Sequence, residues 1–380
     1  MPFSRLSEEQ TLIQETARKY ALDVLAPNTG EWDRNKHFPV DIIRGCAEIG
    51  FAGIYVNEAH GGTGLSRLDA ALIFEQLSYG DVSTAAFISI HNMATWMIDK
   101  FGDDALRETF VEPMTSMELM ASYCLTEPGS GSDAGAMKTT AKRDGDSYIL
   151  NGSKQFISGA GASDIYVLMA RTGGPGPKGV SAFVIPKDTD GLGFGGNEQK
   201  MGWNSQPTRQ LNLDDARVPA NNRIGAEGDG FKFAMAGLDG GRLNIAACSL
   251  GGAQRALDKA LAYAKERHQF GQAIADFQAI QFKLADMETE LQAARVFLYE
   301  AAAKLDAGSP DATRWCAMAK RFVTDAGSKV ANDALQIHGG YGYLSEYGIE
   351  QIVRDLRVHQ ILEGTNEIMR VIISRDMLKA

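Results

Sequence analysis

The sequence predicts an α+β protein in which an N-terminal helical domain (residues 1–121) and a C-terminal helical bundle (232–380) flank a small central β-barrel or sandwich (122–231). Three observations carry that prediction. Apolar residues recur at helical spacing near both ends. The middle third changes to short β-rich runs between Gly, Pro and Asp turns. Nine apolar positions from Phe277 to Leu305 then alternate steps of three and four without a miss.

In chain order, Ser7 and Gln10 have the spacing of a capping box, with Gln10 three residues after a Ser N-cap. Leu12, Ala17, Tyr20 and Val24 follow at roughly helical spacing, and Pro27 ends the run. Residues 39–49, 68–79 and 85–101 read as further helices, broken by Gly61, Gly62 and Gly64. Residues 148–150, 165–170, 180–185 and 209–213 read as strands, and several short strands with turn signals suggest a compact antiparallel barrel or sandwich. The seam Phe277, Ile280, Leu284, Met287, Leu291, Ala294, Leu298, Ala301 and Leu305 predicts one long bundle helix packed on both neighbours. It is a core stripe and carries no function.

At 380 residues the chain can hold two or three domains with a shared core. Its net charge of −10 argues against general nucleic-acid binding. The four cysteines lack C-x-x-C spacing and predict reduced thiols and no structural metal. Residues 1–10 lack the apolar core of a signal peptide, and Glu8 and Glu9 are wrong for a transit peptide. The most apolar window, 82–90, is too short to span a bilayer. A soluble intracellular protein that contacts no membrane is expected.

Gly191, Gly193 and Gly196 match G-x-G-x-x-G, with Asp214 some twenty residues on. The dinucleotide-binding reading needs a helix to open at the third glycine. Gly202 and Pro207 block one, so the segment is expected to be a loop between strands, with no nicotinamide domain.

Three motifs carry chemistry. Residues 123–133 pack Pro128, Gly129 and Gly131 among the hydroxyls of Thr126, Ser130 and Ser132, so the backbone can approach a ligand closely. Such a strand-end loop suits a flat, polar-edged cofactor bearing phosphates. In the second, Phe156 stands two residues before Ser158, an aromatic and a hydroxyl suited to a flavin ring and its edge. In the third, Glu363 precedes Gly364 and Thr365 and follows Ile361 and Leu362. An ordinary Glu has a pKa of about 4.3, and burial would raise it. His338 and His359 lie beside turns or apolar residues and are expected to be structural.

Together these motifs resemble the acyl-CoA dehydrogenase family, and the resemblance extends over nearly the whole chain. It implies the helix–barrel–helix arrangement of that family's fold, with a C-terminal four-helix bundle, and FAD as cofactor. It further implies that Glu363 takes the α proton of an acyl-CoA thioester while hydride passes from the β carbon to flavin N5. The thioester oxygen would be polarised by the Glu363 N–H and a flavin hydroxyl. The positions implied for FAD are Tyr123, Leu125, Thr126, Ser132, Phe156, Ile157, Ser158, Thr365 and Glu367, together with Arg267, Phe270, Gln278, Gln336, Gly339 and Gly340. Phe156 and Ser158 stand where the family usually carries Trp and Thr, which leaves flavin binding in place. Arg267 and Phe270 form an R-x-x-F element suited to a diphosphate. In the family this element and residues 336–340 reach a neighbouring subunit's FAD, which implies a homotetramer, a dimer of dimers. Ser132, Asp239, Arg242 and Arg375 are implied for the substrate alongside Glu363.

Residues 157–187, 202–209 and 238–246 resemble the valine-pathway branch. A base in the C-terminal position fits that branch and the short-chain members, because the alternative early position, Gly240 and Gly241, holds no carboxylate. The expected reaction is isobutyryl-CoA to methacrylyl-CoA, with electrons passed to electron-transfer flavoprotein. The expected location is a bacterial cytoplasm, or the mitochondrial matrix for a processed chain. Other short-chain or 2-methyl-branched specificities, an oxidase and a non-catalytic flavin scaffold remain open.

Overall fold

The computed structural model describes residues 6–379, and over them the α+β expectation holds. The N-terminal region is helical: α1 (Glu8–Tyr20), α2 (Thr29–Asn35), α3 (Val40–Gly45), α4 (Arg67–Gly80), α5 (Val82–Phe101) and the short α6 (Asp104–Leu106) and α7 (Glu112–Thr115). Ser7 caps α1 through the reciprocal Ser7–Gln10 bonds predicted above, and Ser66 with Asp69 repeats the device on α4. Both satisfy backbone N–H groups that a helix start leaves without partners.

Eight strands form one sheet: β1 (Ala121–Cys124), β2 (Thr140–Asp144), β3 (Ser147–Ser158), β4 (Ile165–Arg171), β5 (Val180–Pro186), β6 (Leu192–Asn197), β7 (Thr208–Pro219) and β8 (Arg223–Ile224). Their order is β6-β7-β3-β2-β4-β5-β8, with β1 also on β4. The sheet is mixed rather than antiparallel, because β1 and β2 both pair with β4 in parallel. Alternation along β4 explains its continuous apolar run. Ile165, Val167 and Met169 face one core with Val184 and Phe233, while Tyr166, Leu168 and Ala170 face a second, with Leu211 and Val218.

The glycine-rich stretch at 191–196 corrects the expectation of a loop. Residues 192–197 are the edge strand β6, paired antiparallel with β7. Glycine suits it because the strand crosses close to its partner: a Cβ on Gly195 would stand 3.3 Å from Gln210 Cβ. No helix opens there, so the rejection of a dinucleotide fold stands.

The C-terminal region consists of α8 (Gly230–Glu266), a small hairpin of β9 (His268–Gln269) and β10 (Gln272–Ala273), α9 (Gln278–Asp306), α10 (Ala312–His338), α11 (Ile349–Arg357) and α12 (Asn366–Met377). Helix α10 packs on α8, α9, α11 and α12, and α4 packs on α8 and α9, so one core joins the two helical regions. The predicted seam lies on α9, where Met287, Leu291, Ala294, Leu298 and Ala301 are buried. Phe277, Ile280 and Leu284, at its start, are only half-buried within one chain. Among the described residues no helix is long and apolar enough to cross a membrane.

Candidate active site

Two of the sequence motifs meet at the open ends of β1 and β3. Ser122 Oγ donates to the Ser158 carbonyl at 2.6 Å, and the Gln155 N–H donates to the Thr126 carbonyl at 2.8 Å. These bonds set Tyr123, Leu125 and Thr126 beside Phe156, Ile157 and Ser158. A register shift between Lys154 and Ile157 bulges β3, and Phe156 there takes φ 59°. That backbone region is unfavourable for a bulky residue and persists only where the surroundings demand it. The bulge turns the Phe156 ring outward, 64% exposed, while Ile157 points into the core.

The loop after β1 is tied down by groups the sequence reading missed. Lys154, fully buried, donates to Glu127 Oε1 at 2.8 Å and to the Leu125 carbonyl at 3.0 Å. The same carboxylate accepts the Lys138 and Thr139 N–H groups. Between these anchors the chain is left open: a Cβ on Gly129 or Gly131 would meet nothing within 4 Å, and Ser132 is exposed.

The third motif lies in the C-terminal region. Glu363 sits in the turn between α11 and α12 with φ 56°, followed by Gly364 at φ 89°. As a residue it is half-buried, but its Oε2 is sealed from solvent and has no hydrogen-bond partner. The carboxyl lies over Gly241 of α8: a Cβ there would stand 2.7 Å from Oε2, with Met93 Sδ at 3.1 Å. Burial pushes the acid up to about 7, against the pull of the Arg242 guanidinium and the Lys320 ammonium. Arg242, buried, reaches the Glu363 carbonyl at 3.4 Å and pairs with Asp239, whose other oxygen accepts from Thr313.

Tyr123 connects the halves. Its hydroxyl is buried without a partner, and its acidity is weakened first by burial and then by the charge of Glu363. Burial likewise raises the Tyr55 phenol, with Glu363 a minor contributor. Arg67 lies 3.6 Å over the Tyr55 ring, next to Gly240. Thus the glycine pair of α8 clears space for a guanidinium at 240 and a carboxyl at 241. Neither Tyr55 nor Arg67 was singled out in the sequence, where they belong to no motif.

The remaining predicted positions divide. Thr365 caps α12, its Oγ1 accepting the Ile368 N–H at 3.3 Å, and Glu367 is exposed beside Arg370. Arg375 is exposed near the end of α12. Arg267, Gly339 and Gly340 line a separate cleft of about 380 Å³ with Tyr263 and Tyr341. That cleft includes none of the residues around Glu363 or Ser158. Phe270 stands near it almost fully exposed, at φ 54°, and Gln278 and Gln336 are exposed too. His338 Nδ1 bonds the Ala334 carbonyl, and His359 Nδ1 bonds Ser249 Oγ. Burial holds His359 down to about 3, so it stays neutral.

The structure therefore offers a desolvated carboxyl, an orphaned phenol on which its charge acts, an outward aromatic, and open space at Gly129 and Gly131. Residues 7–118, 122–216 and 228–378 match the family models for the acyl-CoA dehydrogenase N-terminal, middle and C-terminal domains. The chain belongs to the acyl-CoA dehydrogenase family. It is 54% identical to the mitochondrial isobutyryl-CoA dehydrogenase of Dictyostelium discoideum over all of this chain and 91% of that one. The solved butyryl-CoA dehydrogenase of Megasphaera elsdenii superposes with a TM-score of 0.96 at 38% identity, covering both chains fully. The FAD complex of PigA does so with a TM-score of 0.96 at 33% identity, again over both full chains. The protein is thus an acyl-CoA dehydrogenase, an oxidoreductase of a flavoprotein family. The loop at 125–132 and the bulge at 156–158 fit such a cofactor: one is open at Gly129 and Gly131, the other presents an uncovered ring.

Proposed function

We propose that this acyl-CoA dehydrogenase converts isobutyryl-CoA to methacrylyl-CoA, with Glu363 as the base that takes the α proton. The observation that carries the proposal is the Glu363 carboxyl itself, unpartnered at Oε2 and raised to about 7. A base near neutrality is half-ionised at working pH and far stronger than an ordinary carboxylate. Arg242 and Lys320 keep it from climbing further and remaining protonated. Among the described residues the Glu363 N–H has no protein acceptor, so it is free to donate to the thioester oxygen as charge builds there. Glu363 Oε2 is itself sealed from solvent, which keeps the carboxyl desolvated until substrate reaches it. Bound FAD supplies the hydride acceptor. Tyr123, Leu125, Thr126, Ser132, Phe156, Ile157 and Ser158 would hold it within one chain, with Thr365 and Glu367 at the α12 end. Asp239, Arg242, Ser132 and Arg375 would hold the thioester and its CoA.

The second cleft supports a shared cofactor site. Phe270, Gln278, Gln336, Gly339 and Gly340 are exposed, and half-buried Arg267 lines a cleft that does not include Glu363, as residues serving a neighbouring subunit's FAD would. On this reading the protein is a homotetramer that passes electrons to electron-transfer flavoprotein. Its four buried, free thiols suit the reducing compartment of a bacterial cytoplasm or mitochondrial matrix.

The likeness to the Dictyostelium isobutyryl-CoA dehydrogenase supports the choice of substrate. Anaerobic bleaching of the flavin band tests it. Isobutyryl-CoA should bleach the band faster than butyryl-, 2-methylbutyryl- or isovaleryl-CoA. Faster bleaching by any other ester would reassign the substrate within the class. No bleaching by any of the four would favour a non-catalytic scaffold.

A further inference from the structure

Lys320 is the one lysine of α10 turned wholly into the core, with no exposed surface. Its Nζ donates to the Gly364 carbonyl at 2.8 Å and to Asn366 Oδ1 at 2.9 Å. Asn366 is gripped from its other end, its Nδ2 donating to Asp325 Oδ1 at 2.7 Å and Thr324 Oγ1 at 3.0 Å. So successive turns of one face of α10 hold the segment 364–366, which immediately follows Glu363. Both Glu363 and Gly364 are left-handed there, a conformation that for Glu363 needs outside restraint.

The charge on Lys320 is harder to explain by anchoring alone. Both hydrogen-bond partners are neutral oxygens, and no carboxylate lies within ion-pair distance among the described residues. A buried ammonium without a direct ion pair is destabilising unless a nearby anion offsets it. A neutral side chain would serve a purely mechanical clamp at lower cost. The anion with the strongest attraction for Lys320 is Glu363, ahead of Asp325 and Glu367.

We propose that Lys320 is a positioning residue for the base: it fastens the turn that presents Glu363 and supplies a fixed positive charge that favours the ionised carboxylate. The inference rests on Glu363 being the base. The other groups that act on Glu363 are Arg242 from α8, already paired with Asp239, and the neutral phenols of Tyr123 from β1 and Tyr55. Arg242 remains in every variant below. Around Lys320 itself stand Arg242, Asp325, Glu367 and the neutral imidazole of His359. Burial lowers Lys320 to about 8, so it is mostly protonated on the acid side of the Glu363 limb, below about 7.

The sign follows directly. Below its pKa, Glu363 is protonated and cannot accept the α proton, so rate falls with falling pH. Removing the Lys320 charge disfavours the carboxylate, raises that pKa and moves the limb to higher pH. The test is the pH dependence of anaerobic flavin bleaching by isobutyryl-CoA in FAD-loaded Lys320→Met, Lys320→Gln and Lys320→Arg enzyme. The Met and Gln variants should shift the limb upward by about one pH unit, roughly a tenfold loss on its acid side. The Arg variant should leave the limb where it is, whatever its rate. If Met fails to retain FAD, Gln carries the comparison. Loss of rate at all pH values with an unmoved limb would overturn the proposal and leave Lys320 a clamp. Glu363→Gln, run alongside, separates the two assignments: bleaching at the wild-type rate in that variant would remove the base assignment and this proposal together.

Discussion

Glu363→Gln should slow flavin bleaching by isobutyryl-CoA by roughly 10²- to 10⁴-fold, the range over which a positioned base acts. FAD should stay bound, because the side chain lies over Gly241 and the amide keeps the shape of the acid. The amide has the shape of the acid but accepts no proton at working pH. A second effect has the opposite sign. The folded carboxyl titrates near 7 and the unfolded one near 4.5. A raised folded pKa means that the carboxyl's contribution is fully present below about 4.5 and is lost as pH rises through 7. The difference corresponds to about 3 kcal/mol. Thermal or denaturant unfolding should therefore show the Glu363→Gln enzyme gaining on wild type by roughly this amount as pH rises from about 4.5 to about 8. A residue kept for packing would lose stability when changed. This one should gain it while losing activity.

Gly241→Ala should separate activity from stability in a different way. Alanine is the better helix former by about 1 kcal/mol, so α8 itself is not weakened. The added methyl group would nevertheless stand 2.7 Å from Glu363 Oε2 and 3.1 Å from both Glu363 Cδ and Met93 Sδ. Those are ends of flexible side chains, so the fold can yield by moving the carboxyl. Moving a catalytic group by about 1 Å costs on the order of 10²-fold in rate. Bleaching rate should fall by that factor while the unfolding midpoint stays close to wild type. An unchanged rate would show that the close contact with Oε2 is not what places the base.

Much of this arrangement was legible in the chain because it depends on local signals. The Ser7–Gln10 cap, the α9 seam and the apolar run of β4 each follow from spacing within a few turns of one element. The parallel pairing of β1 and β2 with β4 was not legible, because it joins residues far apart in the chain and leaves no mark on either strand. Residues 192–197 read as a loop because Gly202 and Pro207 rule out a helix there and glycine gives little sign of a strand. Its edge position and the close approach of Gln210 make the small residues fit.

The site divides in the same way. Glu363 and the loop at 123–133 stand out as motifs, and Phe156 gains meaning from its left-handed bulge, which only the fold reveals. Lys320 left a detectable trace. It lies four residues after Cys316 and three before Val323, inside the buried stripe of α10 where a lysine breaks the pattern. Tyr55 and Arg67 left none, since their meeting with the 240–241 pair of α8 depends on the packing of three separate segments.

The central claim is that a buried, near-neutral carboxylate at position 363 starts the reaction, and the pH dependence of kcat/KM for isobutyryl-CoA tests it most directly. This quantity reports the free enzyme's ionisations. The account predicts an acid limb with its midpoint at about 7. A profile that stayed flat down to about pH 5, as an ordinary carboxylate near 4.3 would give, would contradict it.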